Sequence, residues 1–383
     1  MRLKKALLMC TLMSGMCLAL FACGNKQEEE VVVEETADAS AEPVEVTVEE
    51  EPGYVSKLTG EAFDETGDAS LRPVAVMVPN DNYGALPQYG LSLAGVVYEV
   101  PVEPPYTRLM AIYDQASFDE LTTVGPVRSC RLYYCYFDLE FDAIYTHYGE
   151  SEYAKSFLSS GQIDEMDGMD STIDSIVFWR DSSRTNPDNA FTSGENLLAG
   201  IEYKGFDTSY SEDYEGKFTF ASDEVSLSDG EDATTVYPGY PSNVNVANPW
   251  FEYNSEDGLY YRYEYSASHN DALTGNQLSV KNIIIQACDY SVMEKHNTYN
   301  FDTTSGGSGY YITNGKAIPV TWSKESEYAP AKYFDADGNE IEVNTGKTWV
   351  CIIKSSDIDS VSFSNGTSGD DTSTDADTTT DAQ

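Results

Sequence analysis

The sequence has few basic residues for its length. Lysine and arginine together number 22 among 383 residues, whereas aspartate and glutamate number 65, so the formal net charge is −43. Nucleic acids and anionic lipid headgroups are both attracted by positive protein surfaces. The composition therefore excludes nucleic-acid binding, and it makes electrostatic attachment to an acidic membrane surface unfavourable.

Metal-binding cysteine patterns are missing as well. The chain has seven cysteines, three of them in the first 23 residues, and none forms a Cys-x-x-Cys pair or a Cys/His spacing typical of zinc. An acidic stretch at 335–342 resembles a calcium loop but lacks the glycine that such loops have at the sixth position and the glutamate at the twelfth. We predict no metal and no cofactor. Four later cysteines would allow disulfides outside the cytoplasm, but we predict free, buried thiols at Cys130, Cys135, Cys288 and Cys351.

An apolar run near the N-terminus is too short for a typical membrane-spanning helix of about 20 residues. It follows a basic start and ends in the sequence LFAC at 20–23. Basic, then apolar, then small residues before a cysteine are typical of a bacterial lipoprotein signal. An ordinary secretory signal or an anchor helix is the alternative. We predict a signal peptide with a lipobox over 1–23 and lipidation of Cys23.

Two segments lack the aromatic residues of a folded core. Residues 24–53 are rich in glutamate, and residues 364–383 consist mainly of Ser, Thr, Gly and Asp. Such segments bury too little apolar surface to offset the entropy of ordering. We predict a disordered acidic tether that holds the folded part off the bilayer, and a disordered acidic C-terminal tail.

The chain between these segments predicts two folded regions. Residues 54–205 predict an α/β domain, residues 206–244 a linker with strand pieces, and residues 245–356 a smaller β-rich domain, so the fold class is α+β. In the first region, apolar runs and helical patterns predict strands at 73–80, 95–103, 108–114, 141–149 and 175–181, and helices at 130–140 and 151–160. In the second, strands are predicted within 258–266, 280–290, 309–322, 331–343 and 348–354, with hairpin turns at Asn314-Gly315 and Asp337-Gly338.

Lysine is missing from a long part of the first region, and arginine supplies its positive charge. No lysine lies between Lys57 and Lys155, and beyond Arg184 the only arginine is Arg262. Arginine presents a planar fork that pairs with carboxylates and phosphates through two hydrogen bonds. One interpretation is a network of partly buried salt bridges that holds loops onto the sheet. The other is a cleft for an anionic or polyhydroxyl ligand.

The candidate site follows from the second interpretation. The sequence VGPVRSCR at 124–131 fixes a turn at its Gly-Pro step, and a helix beginning near Val127 would place Arg128 and Arg131 on one face at its positive end. His147 ends a predicted strand, where ligands of α/β sheets tend to bind. The candidate ligand-binding residues are Arg108, Arg128, Arg131, Arg184, Glu99, Glu103, His147 and Asn189.

An enzyme acting on envelope material is the alternative function. Glu103 and His147 would serve as acid and base of a hydrolase or transferase. Ser129 and Cys130 are candidate nucleophiles near His147, but no nucleophile elbow or oxyanion motif accompanies them. We assign no catalytic residue, and we favour a binding or accessory protein.

Several sequence runs resemble the YerB-like lipoproteins of Gram-positive bacteria. They occur in the same order and cover nearly everything between the two tails: RPVAVMVPN (72–80), VGPVRSCR (124–131), EFDAIYTHYGES (140–151), RTNPDNAFTS (184–193), HNDALTGNQLSVKNIIIQ (269–286) and YYITNGKAIPVTWSK (310–324). The resemblance implies an α/β first domain, a β-rich second domain and an envelope protein anchored to the membrane. It brings no established catalytic residue.

This chain departs from the family pattern at two informative positions. Cys130 replaces a usual alanine, which indicates a small packing residue, and Asp188 replaces a usual histidine, which weakens any metal or acid–base role there. Taken together, the residues and the resemblance predict a protein on the outer face of the cytoplasmic membrane, attached through lipid on Cys23. Its predicted partners are the membrane and either a cell-wall polymer or a membrane protein.

Overall fold

A computed structural model describes residues 55–63, 68–240, 247–293 and 298–364. The predicted signal peptide with Cys23, the predicted tether, and all of the predicted tail except Ser364 lie outside these residues. Within the described part, no helix is both long enough and apolar enough to cross a bilayer.

The described residues form strands and a smaller number of helices, which confirms the predicted α+β class. The strands are β1 (Val74–Asn80), β2 (Val96–Pro101), β3 (Thr107–Tyr113), β4 (Ile144–His147), β5 (Glu165–Asp167), β6 (Trp179–Arg180), β7 (Ala190–Phe191), β8 (Glu231–Asp232), β9 (Thr235–Tyr237), β10 (Trp250–Asn254), β11 (Leu259–Glu264), β12 (Ala267–Ser268), β13 (Ser279–Val280), β14 (Asn282–Cys288), β15 (Tyr290–Val292), β16 (Tyr299–Phe301), β17 (Gly307–Thr313), β18 (Lys316–Ser323), β19 (Lys332–Phe334), β20 (Thr348–Lys354) and β21 (Ser362–Ser364). The helices are α1 (Leu132–Leu139), α2 (Glu152–Leu158), α3 (Ser171–Val177) and α4 (Gly194–Lys204), with 3-10 turns at Leu91–Leu93, Gln115–Ser117 and Ser355–Ser360.

One large mixed sheet runs through both predicted regions. Its strand order is β19-β18-β17-β14-β20-β2-β3-β1-β4-β5, and β8 also pairs with β18. The two regions meet where β2 pairs in parallel with β20, from Val96 beside Thr348 to Glu99 beside Cys351. The residues predicted as a linker contribute β8 to this sheet and β9 to a second, smaller sheet of order β12-β11-β10-β9-β21.

The central strands are apolar throughout because both faces of the large sheet are covered. All residues of β1 and β3 are buried, as expected for strands packed on both sides. Helices α1 and α2 cover one face, where they pack against Tyr98 and Tyr145 of the strands. Helices α3 and α4 cover the other face beside the smaller sheet, where Phe251 and Tyr260 are buried.

Buried ion pairs also join the two regions. Glu140, at the end of α1, accepts hydrogen bonds from Lys217 and Lys324, at 2.6 and 2.7 Å. On the opposite face of the sheet, Arg262 donates to Glu99 at 2.9 Å. Because each of these side chains is at most 1% exposed, separating the regions would leave charges without partners in an apolar surrounding.

Two local predictions are wrong. Residues 175–181 were predicted as a strand, but Ile173 and Val177 are buried on α3, whose first turn is capped by the Asp170 carboxylate; only Trp179–Arg180 is extended. The helix predicted to begin near Val127 begins at Leu132. The backbone N–H groups that were expected to start this helix are hydrogen-bonded elsewhere, because Val127 donates to the carbonyl oxygen of Ala190 and Arg128 to that of Met77. Arg128 and Arg131 therefore do not share a helix face.

The helix α4 was not predicted, whereas the longest strands and the free thiols were. Ser193 caps α4, and Gly205 ends it with a positive φ of 67°, a signal of the kind that marks helix termini. The turn at Asn314-Gly315 does join β17 and β18, with positive φ at both residues. The four later cysteines are free and buried.

Candidate functional site

The candidate site lies at one edge of the large sheet. Strands β1, β2, β4, β5, β14 and β20 all run in the same direction, as their parallel pairings and the antiparallel position of β3 between β1 and β2 require. Their carboxyl ends therefore meet at one edge, where ligands of open α/β sheets commonly bind. Strand β3 starts at this edge, and Arg108 is its second residue.

Arg131 and Glu103 form a bidentate ion pair. Its Nε and Nη2 atoms donate to the two oxygens of the Glu103 carboxylate, both at 2.8 Å. Thr298 donates to the same carboxylate at 3.2 Å. Arg131 is the N-cap residue of α1 and Glu103 follows β2, so this pair fixes the start of the helix against the sheet edge.

Arg108 lies beside this pair but has no carboxylate at hydrogen-bond distance. Its Nη1 donates to the carbonyl oxygen of Ser129 at 2.5 Å and to the Ser129 hydroxyl at 3.1 Å. The nearest salt-bridge contact of its Nη2 is Glu103 Oε2, at 4.0 Å, and the Arg108 side chain is 9% exposed. The charge of this guanidinium is therefore only partly compensated.

Arg128 and Arg184 lie near Arg108 and Arg131 at the same edge of the sheet. Arg128 forms a salt bridge with Asp188, and Asp188 packs against Gly84, where any added Cβ would meet its carboxylate oxygen at 2.6 Å. Arg184 donates to the carbonyl oxygens of Gly84 and Pro87, at 3.0 and 2.6 Å. The structure thus brings the four predicted arginines, Arg108, Arg128, Arg131 and Arg184, into one neighbourhood, which we call the arginine cluster.

Burial and the neighbouring guanidinium groups both act on the pKa of Arg108. Burial, and then the charges of Arg131 and Arg128, lower the pKa of Arg108 to about 10. Burial would raise the pKa of Glu103, but the charges of Arg131 and Arg108 outweigh it and lower that pKa. Glu103 therefore stays ionised, and an additional anion near Arg108 would relieve repulsion among the guanidinium groups.

Glu99 does not belong to the arginine cluster. Its side chain points to the opposite face of the sheet, is fully buried, and accepts hydrogen bonds from Arg262, Trp349 and Thr107 at 2.9, 3.2 and 2.9 Å. The contacts of Glu99 are those of an internal ion pair.

His147 and Asn189 also lie outside the arginine cluster. His147 is fully buried between Glu165, at 2.8 Å, and Asp167, at 3.6 Å. Burial would lower the pKa of His147, but the neighbouring Cys130 sulfur and these carboxylates raise it to about 9. Asn189 accepts a hydrogen bond from Arg180 at 2.7 Å.

Two residues complete the arginine cluster that were not among the predicted ligand-binding residues, Ser129 and Asp188. Ser129 lies inside the VGPVRSCR run, so its position was visible but its role as acceptor for Arg108 was not. Asp188 was noted only as a departure from a family histidine, whereas the structure pairs it with Arg128. A carboxylate where the family usually has histidine was the available signal for this ion pair. In the described residues, no group of three or more His, Cys, Asp and Glu side chains is arranged to hold a metal ion.

The fold and this edge define a class of protein: an α+β chain whose central mixed sheet spans two sequence regions and carries an arginine cluster at its carboxyl edge. Residues 58–207 match the family model described as the N-terminal domain of a protein of unknown function, DUF3048, and residues 240–350 match the model of its C-terminal domain.

Comparison with individual proteins agrees with the family models. The chain is 31% identical over 292 residues to "Putative lipoprotein YerB" from Bacillus subtilis (strain 168), covering 76% of this chain and 83% of that protein. It also superimposes on the crystal structure of the YerB protein from Bacillus subtilis with a TM-score of 0.69 and 30% identity, covering 81% of this chain and 99% of the other. The chain belongs to the YerB-like DUF3048 family, as its sequence runs predicted.

Proposed function

We propose that this chain is a lipid-anchored binding or accessory protein of the cell envelope, and that its arginine cluster recognises carboxylate or phosphate groups of an envelope polymer or a partner protein. Membrane anchoring is supported by the name of its relative, a lipoprotein, and by the sequence that ends at Cys23. Processing at that cysteine would leave the folded part on the outer face of the cytoplasmic membrane of a Gram-positive bacterium.

The observation that carries the proposed binding is the incomplete pairing of Arg108. A guanidinium that is 9% exposed and lies 4.0 Å from its nearest carboxylate oxygen is costly to bury without further compensation. Two more arginines lie beside it, and Arg128 remains 22% exposed. An anion that approaches along Arg128 would therefore meet a concentrated positive charge within an otherwise acidic protein.

The alternative function, a hydrolase or transferase that uses Glu103 and His147, has less support. Such an enzyme needs groups that exchange protons close to the working pH. Glu103 has a lowered pKa beside Arg131, and His147 is fully buried between two carboxylates with its pKa raised to about 9. The hydrogen bonds of the two residues belong to separate networks.

The binding proposal is tested by titration calorimetry of the full-length protein in detergent with poly(glycerol phosphate) at low and high salt. Arg128→Ala should weaken binding about tenfold or more, because a charge-assisted hydrogen bond contributes about 1.5–3 kcal/mol. Wild-type affinity should fall with salt.

The matched control is Lys332→Ala. Lys332 lies on the edge strand β19, is 37% exposed and pairs with Glu340. It is not part of the arginine cluster. Its removal should leave affinity unchanged. Equal binding by Arg128→Ala and the wild type, with both melting at the same temperature, would refute the proposal for this polymer. The same titration with polyglutamate then separates phosphate from carboxylate recognition.

A further inference from the structure

A second site lies at the opposite edge of the large sheet, where β2, β14 and β20 begin. A cavity of about 410 Å³ opens there, and an adjoining cavity of about 310 Å³ lies beside it. The first is within the size range of small-molecule sites. Its walls come from both family regions and from the segment between them, since Glu61, Asp223, Lys281 and Lys347 all line it.

Glu61 and Lys347 line both cavities. Their charges are opposite, and the carboxylate of Glu61 raises the pKa of Lys347 against the larger effect of burial, which lowers it. Yet in the described part of the chain neither side chain is joined to an ion-pair partner within 4.0 Å. The ammonium group of Lys347 donates to the carbonyl oxygen of Ser92. A carboxylate and an ammonium group thus face the same space without a salt bridge between them.

The main chain on both sides of Lys347 is fixed by hydrogen bonds and close packing. Gly346 has a φ of +129°, and a Cβ at that position would meet Lys281 Cβ at 2.7 Å. The N–H of Gly346 donates to Thr59 at 2.7 Å, and the N–H of Thr348 donates to Gly95 at 3.0 Å. Lys281, on the other wall, is already neutralised by Glu224 at 2.5 Å. Lys347 is therefore the cation available to a ligand.

We propose that this cavity binds a small zwitterion, namely an amino acid or a short peptide with free ends. The carboxylate of the ligand would pair with Lys347, and its ammonium group would pair with Glu61. One ligand would then satisfy two opposite charges that the chain leaves apart, each through a charge-assisted hydrogen bond. The site is separate from the arginine cluster and does not depend on the function proposed for it.

The test is titration calorimetry of the full-length protein with alanyl-alanine, with N-acetyl-alanyl-alanine, which lacks the ammonium group, and with alanyl-alaninamide, which lacks the carboxylate. Alanyl-alanine should bind, and each derivative should bind at least about tenfold more weakly. Lys347→Met should bind alanyl-alanine as weakly as the wild type binds alanyl-alaninamide, and its affinity for alanyl-alaninamide should equal that of the wild type. The substitution and the amidation both remove the same ion pair, between Lys347 and the carboxylate of the ligand.

Glu61→Gln provides the second arm, because Glu61 is exposed and its replacement leaves the core intact. It should abolish the discrimination between alanyl-alanine and its N-acetyl derivative. Lys332→Met is the matched lysine control and should change none of these affinities. Absence of alanyl-alanine binding, or equal binding of all three compounds by the wild type, would overturn the proposal.

Discussion

Replacing Glu99 with glutamine tests the ion pair that joins the large sheet to the smaller sheet of the second region. Glu99 is fully buried, and its carboxylate lies 2.9 Å from Arg262, which is 1% exposed. Burial would lower the pKa of Arg262, but Glu99 and Glu264 raise it. Glutamine keeps the shape of the side chain and can keep some hydrogen bonds, but it removes the negative charge.

The expected cost follows from the surroundings of Arg262. Removing one partner of a buried ion pair typically destabilises a protein by about 3–5 kcal/mol. Arg262 also contacts Glu264 at 2.8 Å, so part of its charge stays compensated after the change. We therefore expect the free energy of unfolding to fall by about 3 kcal/mol, at the lower end of that range.

Urea-induced unfolding, followed by tryptophan fluorescence and by far-ultraviolet circular dichroism, measures this loss. Both probes should report one transition, because β2 and β20 place the two regions in a single sheet. The control is Glu340→Gln, which removes an exposed partner of Lys332 and should cost less than about 1 kcal/mol. A Glu99→Gln cost below about 1 kcal/mol, or two transitions of which only one shifts, would show that this ion pair does not stabilise the two regions together.

Three smaller changes test other parts of the structure. Burial, opposed by a hydrogen bond from Ser56, raises the pKa of Asp114 to about 6. The protonated carboxyl group therefore contributes to stability below about pH 4, and this contribution is lost as the pH rises through 6. Urea titrations at several pH values should show that Asp114→Asn is more stable than the wild type above pH 6, by at most about 3 kcal/mol. Asp170→Ala removes the N-cap of α3 and should cost about 1 kcal/mol of unfolding free energy, whereas no change would contradict the cap. Arg131→Lys cannot form both bonds to Glu103 and should lower the melting temperature by a few degrees; an unchanged melting temperature would argue against the paired geometry.

The sequence predicted the elements whose burial leaves a local pattern. Strand β1 appears as an unbroken apolar run because both of its faces are covered, and the Asn-Gly turn between β17 and β18 uses residues suited to positive φ. The strand predicted at 175–181 was wrong because the start of this run belongs to α3, where Val177 is buried one helical turn after Ile173. A short apolar run alone does not distinguish the two periods.

The relation between the regions could not be predicted from local patterns. The parallel pairing of Val96 with Thr348 joins residues some 250 positions apart, and no periodicity carries that information. The same holds for the candidate site. The clustering of arginines in the first region was visible in the sequence, but the carbonyl oxygens that hold Arg184 and the carboxylate that holds Arg128 come from distant loops.

The proposed function requires that the arginine cluster receives an external anion in addition to the internal carboxylates. Asp188 competes with such an anion for Arg128. Its replacement by asparagine keeps a side chain of similar shape and removes the competing charge, so it distinguishes anion binding from a purely structural salt bridge.

The most direct measurement is therefore the affinity of Asp188→Asn for poly(glycerol phosphate), compared with the wild type at the same salt concentration by titration calorimetry. The variant should bind about tenfold more tightly, because Arg128 is then released from one charged hydrogen-bonding partner. Unchanged or weaker binding, together with a lower melting temperature, would show that Arg128 and Asp188 serve only each other, and it would contradict the proposed function.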